Sequence, residues 1–256
     1  MEQDILDLDD PQENAALRRL LDKFPDSMRQ ARFPRYMGDW PGCAYEIRKR
    51  HVGSLSFYMV KMDEWQLLTA FSRLQRLSMS IDKDPSFPES LFTLKSLSML
   101  HLDVADCIKI PDKFHRLPRL THLQISQGNS SRLPPSIGCL KNLEYLAFWG
   151  FDLESLPDWL GGLERLKYLV FNSARISELP EYFKQLPLRK ISIFGAGNFK
   201  CLPEILREIP TLCEVNWSMD NTRFEEIYNN SSEKMRSWWK EMIERMRRKY
   251  RHYLDD

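Results

Sequence analysis

Apolar residues recur along most of the chain in one pattern: an apolar residue, two others, an apolar residue, one other, and a further apolar residue. Eight copies follow one another at spacings of 22 to 24 residues, and their first positions are Val52, Leu74, Leu97, Leu120, Leu143, Leu166, Leu188 and Leu212. The fourth and sixth positions of each copy are two residues apart, which is the period of a β-strand. The pattern therefore predicts eight short strands, each of which begins a repeated unit.

A second pattern runs in phase with the first. In six copies an apolar residue followed by proline comes about thirteen residues after the first position, at Pro88, Pro111, Pro134, Pro157, Pro180 and Pro203. Apolar residues three positions apart then follow, as at Ile137 and Leu140, which predicts a short helical turn. Proline blocks further strand pairing, so each unit is a strand, a turn and a brief helical return. Since one unit cannot bury its apolar side alone, the units stack into a solenoid with a parallel sheet along one side.

The stretch from Leu156 to Leu169, LPDWLGGLERLKYL, resembles the leucine-rich repeats of the roughly 23-residue class. Such repeats occur in plant intracellular immune receptors, Ras-pathway scaffolds and bacterial effectors, and the resemblance covers Val52 to about Met219, two thirds of the chain. It implies an α/β leucine-rich-repeat solenoid with a parallel concave sheet and a helical cap at each end. We predict an acidic tail and helical cap in residues 1–51, the eight-unit solenoid in 52–219, and a basic amphipathic helix cap in 220–256.

The repeats depart from the family pattern at the position that usually holds asparagine or cysteine. Three residues after the last apolar strand position, the chain instead has Ala105, Gly128, Phe151, Ala174, Ala196 and Asp220. The side-chain hydrogen bonds of an asparagine ladder are therefore mostly missing from these turns. We expect backbone groups or water to satisfy the turns in their place.

Both ends of the chain lie outside the repeat pattern. At the start, Asn14 is placed to cap a helix that reaches Phe24 and stops at Pro25. Residues 1–14 hold six acidic side chains and no lysine or arginine, so we expect this segment to be solvated. The stretch 33–41 is rich in aromatic residues and proline, which predicts an irregular packed connection.

Near the end, Ser232 precedes a predicted helix with apolar residues at steps of three and four, among them Met235, Trp238, Trp239 and Met242. The rest of this segment carries eight basic residues against five acidic ones. One interpretation is a cap that buries the tryptophans on the last repeat. The other is a basic helix that binds an anionic membrane, a nucleic-acid backbone or a second protein. Burial of both tryptophans against the last repeat would favour the cap.

Strand alternation assigns the third, fifth and seventh positions of each unit to the concave face of the sheet. In the later units these positions place four large aromatic residues on three neighbouring strands: Tyr145, Trp149, Tyr168 and Phe194. Lys190 joins them, with Lys167 and Arg189 as a basic rim. Because exposed Tyr and Trp with a basic rim are typical of protein interfaces, we predict a partner-binding surface here. The alternative is that the rings stack only to stabilise the sheet, or that a cap or loop covers them.

Earlier units contribute further side chains to the same face, and we predict that they contact the partner as well: Tyr58, His101, Asp103 and His122. The two histidines and the aspartate could in principle hold a metal ion or form an acid–base pair. These side chains are loosely spaced across their strands, and no strong ligand is evident beside them to complete a site. We therefore expect no metal site. The chain has no P-loop, G-x-S-x-G, dinucleotide-binding glycine or H-E-x-x-H motif, and we expect neither a cofactor nor enzymatic activity.

Charge, apolar runs and cysteine spacing bear on the function and cellular location of the protein. The 256 residues include 37 basic and 36 acidic side chains, a net charge of +1, which argues against a dedicated nucleic-acid-binding domain. No apolar run approaches the roughly 18 residues that cross a bilayer, and the acidic start is unlike a secretory signal. We therefore expect an intracellular, cytoplasmic protein. This expectation also covers a protein that is delivered into a host cell.

The cysteines form no C-x-x-C pair, so we expect buried, reduced thiols at Cys43, Cys107, Cys139, Cys201 and Cys213.

These features predict a non-enzymatic module that recognises a protein partner on its concave sheet. The resemblance implies a role in intracellular sensing, scaffolding or signalling, or in host-directed effector activity. The alternative is an adaptor in ubiquitin ligation or membrane signalling whose C-terminal helix binds a second partner. We expect no nucleic-acid partner and no membrane contact, and the sequence leaves the oligomeric state open.

Overall fold

The computed structural model describes residues 8–26, 28–31, 43–57, 64–81, 87–105, 108–130, 132–172, 175–195, 198–218 and 221–250. The chain divides into two compact units. The first unit comprises residues 1–127 and 134–142, and the second comprises residues 128–133 and 143–256. Tyr58, which we predicted as a partner contact, lies outside the described residues.

Ten β-strands and three α-helices are found in the described residues. The strands are β1 (Arg29–Gln30), β2 (Ala44–Arg48), β3 (His51–Phe57), β4 (Arg76–Ile81), β5 (Met99–Val104), β6 (His122–Ser130), β7 (Tyr145–Phe151), β8 (Tyr168–Asn172), β9 (Lys190–Phe194) and β10 (Glu214–Ser218). The helices are α1 (Pro11–Lys23), α2 (Asn221–Asn229) and α3 (Glu233–Tyr250). Strands β3 to β10 are the eight that the repeat pattern predicts, so the prediction of one strand per repeat is confirmed.

The repeat also sets the register of the strands. In the first unit, β3, β4, β5 and β6 pair in parallel, with Leu77 opposite Leu100 and Leu100 opposite Leu123. In the second unit, β7 to β10 pair in parallel, with Leu169 opposite both Leu146 and Ile191. Equivalent repeat positions therefore lie side by side. The fourth and sixth positions of the eight repeats are buried as predicted, except that Trp217, in the last repeat, is half-buried.

The segments that return the chain to the next strand form short 3₁₀ helices rather than α-helices. They span Trp65–Ala70, Glu89–Thr93, Phe114–Arg116, Pro135–Cys139, Asp158–Gly162, Glu181–Gln185 and Glu204–Glu208. In five of these a proline directly precedes the helix, where its missing N–H costs no hydrogen bond. Each helix buries at least one apolar side chain in the core, which confirms the predicted helical return.

At two of the turns that lack the asparagine ladder, a backbone carbonyl of the preceding repeat accepts a main-chain N–H, as we expected, while Ala174, Ala196 and Asp220 lie outside the described residues. The N–H of Ala105 donates to the carbonyl of Ile81 at 3.0 Å, and the N–H of Asp152 donates to the carbonyl of Ser130 at 2.8 Å. At the start of a strand, the N–H groups of Ser98 and Met99 both donate to the single carbonyl of Gln75, at 2.8 and 3.0 Å. Successive repeats are thus joined by main-chain bonds at each end of a strand.

The N-terminal helix begins earlier than we predicted. Asp10, not Asn14, is its N-cap, and the Asp10 carboxylate accepts hydrogen bonds from the N–H groups of Gln12 and Glu13 at 2.8 and 3.4 Å. Pro11 occupies the first helical position, where its fixed φ favours the helix. Asn14 lies inside the helix, and its amide donates to the carbonyl of Leu8 at 3.1 Å.

Residues 1–7 of the acidic segment lie outside the described residues, and two side chains of its described part are buried rather than solvated. Leu8 is buried, and Glu13 is only 2% exposed. One carboxylate oxygen of Glu13 accepts the backbone N–H of Val52 at 2.7 Å, and the other lies 2.8 Å from Nδ1 of His51. Glu13 therefore fastens α1 to the first repeat strand, β3. Burying a carboxylate is costly unless its oxygens have hydrogen-bond partners, and each oxygen of Glu13 lies within hydrogen-bonding distance of a nitrogen atom.

An antiparallel hairpin precedes the parallel strands, and the sequence did not reveal it. Strand β2 pairs with β3 through a two-residue turn, Lys49 and Arg50, with φ of 48° and 58°. Hairpins of this kind usually carry asparagine or glycine at those positions, so the turn signal was missing.

The C-terminal helix packs on the end of the second unit. It begins after Ser232, as the sequence indicates, and the Ser232 hydroxyl accepts the N–H of Met235 at 3.1 Å. Met235, Trp239 and Met242 are buried, while Trp238 is half-buried. The ring centroids of Trp239 and Trp217, on β10, are 6.3 Å apart. The apolar side of α3 therefore covers the last repeat, and α2 is an additional helix that we did not predict.

No helix in the described part of the chain is both long enough and apolar enough to cross a bilayer.

The prediction of buried thiols is wrong for three cysteines. Cys43 is buried, but Cys139, Cys201 and Cys213 are exposed. Cys139 ends a 3₁₀ helix, Cys201 lies in the loop before another, and Cys213 precedes β10, so all three occupy positions outside the inward-facing repeat pattern. Cys107 lies outside the described residues.

Candidate protein-binding surface

Four aromatic side chains share one face of the second unit, and we call them the aromatic patch: Tyr145, Trp149, Tyr168 and Phe194. Tyr145 and Tyr168 occupy the third positions of β7 and β8 and are direct partners in the register. Trp149 and Phe194 occupy the seventh positions of β7 and β9. The repeat period places equal positions of successive repeats next to each other on the sheet, so the two tyrosines form one pair and Trp149 and Phe194 form another, four residues further along the strands.

Trp149 and Phe194 are in contact although β8 separates their strands. Their ring centroids are 5.1 Å apart with an interplanar angle of 48°. Strands two places apart are separated by about 9.6 Å, so both rings must lean toward each other across β8. Tilted ring pairs at this separation are attractive beyond the area that they bury.

The aromatic patch is open to solvent at Tyr168, whose exposed fraction is 38%. In the part of the chain that the structure describes, no other large hydrophobic side chain is classed as exposed. Tyr145, Trp149 and Phe194 are half-buried, and burial raises the pKa of the Tyr145 hydroxyl. The patch therefore combines one exposed ring with three partly exposed ones.

Small side chains lie between the rings and are covered by their neighbours. Ala147 and Ser192, at fifth positions, are buried although they belong to the outward-facing set, while Val170 between them is half-buried. The register places Ala147 opposite Val170 and Val170 opposite Ser192. These fifth positions lie between the third-position rings and the seventh-position rings on the same face of the sheet.

The rim of the patch is less basic than we predicted, because two of its three cations have carboxylate partners. Lys167 lies 2.9 Å from Glu144, and Lys190 lies 2.5 Å from Glu214. The Glu214 carboxylate also lies 3.4 Å from the ammonium group of Lys249, on α3. Arg189 is exposed. The sequence places Glu214 on this face, but nothing in it signalled that the side chain is only 7% exposed and lies near two lysines.

The polar candidates of the first unit form a separate group. Nδ1 of His101 lies 3.3 Å from the hydroxyl of Ser78, and Nε2 lies 3.2 Å from the amide nitrogen of Gln124. Burial lowers the pKa of His101, and the nearby charge of Asp103 partly opposes the shift. His122 contacts the hydroxyl of Thr121 at 2.9 Å through Nδ1.

No metal-binding arrangement is found at these histidines. Across the described ranges, the structure has no group of three or more histidine, cysteine, aspartate or glutamate side chains placed to hold an ion. The ring nitrogens of His101 face Ser78 and Gln124, neither of which is a strong metal ligand. These side chains are arranged as a hydrogen-bonded surface, which is compatible with contacts to a partner.

Comparison with known proteins yields similarity in structure alone. No protein-family model matches the chain, and no curated protein sequence matches it. Among solved structures, a leucine-rich-repeat protein of Leptospira interrogans is similar with a TM-score of 0.52 and 20% identity, over 68% of this chain and 45% of that one. Internalin C2 of Listeria monocytogenes is similar with a TM-score of 0.47 and 18% identity, over 64% of this chain and 70% of that one.

The chain spans less than half the length of the Leptospira protein. At 20% identity this similarity bears on the fold and not on the ligand. It agrees with the repeat period, the parallel register and the buried leucines of both units. The chain therefore has the α/β leucine-rich-repeat solenoid fold.

Proposed function

We propose that the chain is a recognition module that binds a protein partner through the aromatic patch. The exposed ring of Tyr168, on the same face of the sheet as three partly exposed aromatic side chains, is the observation that carries the proposal. Tyrosine and tryptophan dominate the energy of protein interfaces, because each buries a large area with few rotatable bonds. Exposed apolar clusters of this kind mark interaction sites in soluble domains.

The fold supports this role by holding the rings in place. Trp149 rests against Phe194, and Tyr145 lies opposite Tyr168 on a paired strand. Side chains that are already ordered lose little conformational entropy when a partner binds. The proposed mechanism is therefore rigid display of a preformed surface, and it involves binding without catalysis.

The setting that we propose is intracellular sensing or scaffolding, which the repeat resemblance implies. The alternative role, an adaptor that uses its C-terminal helix, has less support. Met235, Trp239 and Met242 are buried against the second unit, so the apolar side of α3 is largely occupied. We therefore place partner binding on the sheet and treat α3 as a cap.

A double substitution tests the proposal. Trp149→Ala/Tyr168→Ala should reduce recovery of the partner from a lysate of the source organism at least tenfold, because central aromatic residues contribute about 2 kcal/mol or more each. Recovery is measured by quantitative mass spectrometry of proteins retained on the immobilised chain.

Tyr228→Ala is the matched control. Tyr228 is a half-buried aromatic residue of the same compact unit that belongs to α2 rather than to the sheet, and it stacks on Phe224. This variant should recover the partner as the unaltered chain does. Full recovery by a double variant whose circular dichroism and melting temperature show it to be folded would refute the proposed surface.

A further inference from the structure

Three polar side chains lie side by side on the outward face of the sheet in the first unit. Ser80 is opposite Asp103, and Asp103 is opposite Ser126, at the seventh positions of β4, β5 and β6. We call these three the polar row. All three are half-buried, while Leu102 and Val104, which alternate with Asp103 along β5, are buried. The row therefore presents one carboxylate between two hydroxyls on the side of the sheet away from the core.

The polar groups of this row are not used by the fold. Within the residues that the structure describes, the carboxylate of Asp103 forms no hydrogen bond and no ion pair. Across the same ranges, the hydroxyls of Ser80 and Ser126 form no hydrogen bond either. A carboxylate accepts only, and a hydroxyl can accept as well as donate. The row therefore offers several acceptor oxygens to a group that approaches from outside.

The neighbouring His101 leaves the charge of Asp103 in place. Its Nδ1 lies 3.3 Å from the hydroxyl of Ser78, and its Nε2 lies 3.2 Å from the amide nitrogen of Gln124. Because an amide nitrogen only donates, Nε2 accepts, and Nδ1 carries the proton of a neutral ring. Burial lowers the pKa of His101, which favours the same neutral form at neutral pH. The imidazole is thus held by its own two partners and adds no positive charge.

The polar row holds one negative charge and no positive one. Arg76 and His122 share this face of the sheet, but they occupy third positions, four residues before Ser80 and Ser126 on the same strands. An extended strand advances about 3.3 Å per residue, so the main chain at these positions is about 13 Å from the row. Charge complementarity therefore favours a cationic ligand at the row.

We propose that the polar row binds an arginine side chain of a protein partner. Two N–H groups of the guanidinium donate to the Asp103 carboxylate, and the other N–H groups donate to the hydroxyls of Ser80 and Ser126. The guanidinium suits this row because its five donors lie in one plane and two of them match a carboxylate side by side. A lysine ammonium is a compact point charge without this fork. The site goes beyond the proposed function, since it lies on the first unit and involves no residue of the aromatic patch.

Titration of the whole chain with the peptide acetyl-Gly-Arg-Gly-amide tests the proposal. Two-dimensional ¹H–¹⁵N NMR spectra of the labelled chain follow the backbone amides of β4, β5 and β6. The amides of Ser80, Asp103 and Ser126 should shift in a saturable manner. A peptide with citrulline in place of arginine has a side chain of similar shape without the charge, and it should produce little shift. The lysine peptide should bind at least about threefold more weakly than the arginine peptide, because it lacks the bidentate contact.

Substitutions in the polar row then locate the contact. Asp103→Asn keeps the shape of the side chain and removes its charge, so it should weaken binding of the arginine peptide about tenfold or more. Ser80→Ala/Ser126→Ala should weaken it by a smaller factor, because only hydrogen bonds to neutral acceptors are lost. Asp22→Asn is the matched control, since Asp22 is an exposed aspartate of the same unit that belongs to α1 rather than to the sheet. It should leave the affinity within about twofold.

Circular dichroism and melting temperature establish that each variant is folded. Absence of a saturable shift, equal binding of the lysine or citrulline peptide, or unchanged affinity in folded Asp103→Asn would overturn this inference. Each of these results is independent of Trp149 and Tyr168. Loss of partner recovery in the Trp149→Ala/Tyr168→Ala variant therefore tests the proposed function separately.

Discussion

Replacing Glu13 with alanine should lower the free energy of unfolding by about 2 to 5 kcal/mol, because each buried polar group that loses its partner costs about 1 to 3 kcal/mol. The Glu13 carboxylate is almost completely buried and accepts the N–H of Val52 at 2.7 Å. Its other oxygen lies 2.8 Å from Nδ1 of the buried His51 ring. Without the carboxylate, the backbone nitrogen of Val52 and Nδ1 of His51 both lose this hydrogen-bond partner in the protein interior. Chemical denaturation followed by circular dichroism measures the loss.

Two further variants show whether burial is the reason. Glu13→Gln keeps an oxygen that can accept from Val52, so it should be less destabilising than the alanine variant. Glu64→Ala removes an exposed carboxylate that pairs with Arg19 and Lys23, and its effect should be much smaller. Equal stability of Glu13→Ala and the unaltered chain would show that α1 is not fastened to β3 in this way.

The second large effect is expected in the core of the second unit. Phe148→Ala should cost about 3 to 5 kcal/mol, because a fully buried aromatic side chain is replaced by a cavity. The Phe148 ring stacks on Phe171 with centroids 5.5 Å apart and an interplanar angle of 12°. It also meets Phe151 edge to face at 6.1 Å. The denaturation midpoint and slope give the change in the free energy of unfolding.

Trp149 is the natural comparison, since it is the next residue on the same strand and points to the opposite face. Its side chain is half-buried in the aromatic patch, so Trp149→Ala should destabilise the chain clearly less than Phe148→Ala while it weakens partner binding. A reversed order of the two stabilities would contradict the assignment of core and surface positions along β7.

The repeats were predictable because the information is local and occurs eight times. Leu146 and Phe148 alternate with Tyr145 and Ala147, and the same alternation at a constant spacing fixes both the strand and its register. By contrast, the β2–β3 hairpin turns at Lys49 and Arg50, which carry no turn signal. The burial of Glu13 depends on His51, 38 residues away, and a pattern of neighbouring residues cannot reveal it.

The binding surface was predictable to a similar degree. The sequence indicates which rings share a face, because that follows from strand period and register. It does not indicate that Trp149 and Phe194 lean across β8, since side-chain rotamers decide that contact. The pairing of Glu214 with Lys249 requires the position of α3, which is set by the packing of Trp239 on β10.

The most direct measurement is photo-cross-linking from the centre of the aromatic patch. Tyr168 is replaced by the photoreactive residue p-benzoylphenylalanine, and a second chain carries the same group at Tyr228. After irradiation in the lysate, we expect a cross-linked partner protein from position 168 and none from position 228. A partner that cross-links equally well from position 228, or only from there, would contradict recognition through this face of the sheet.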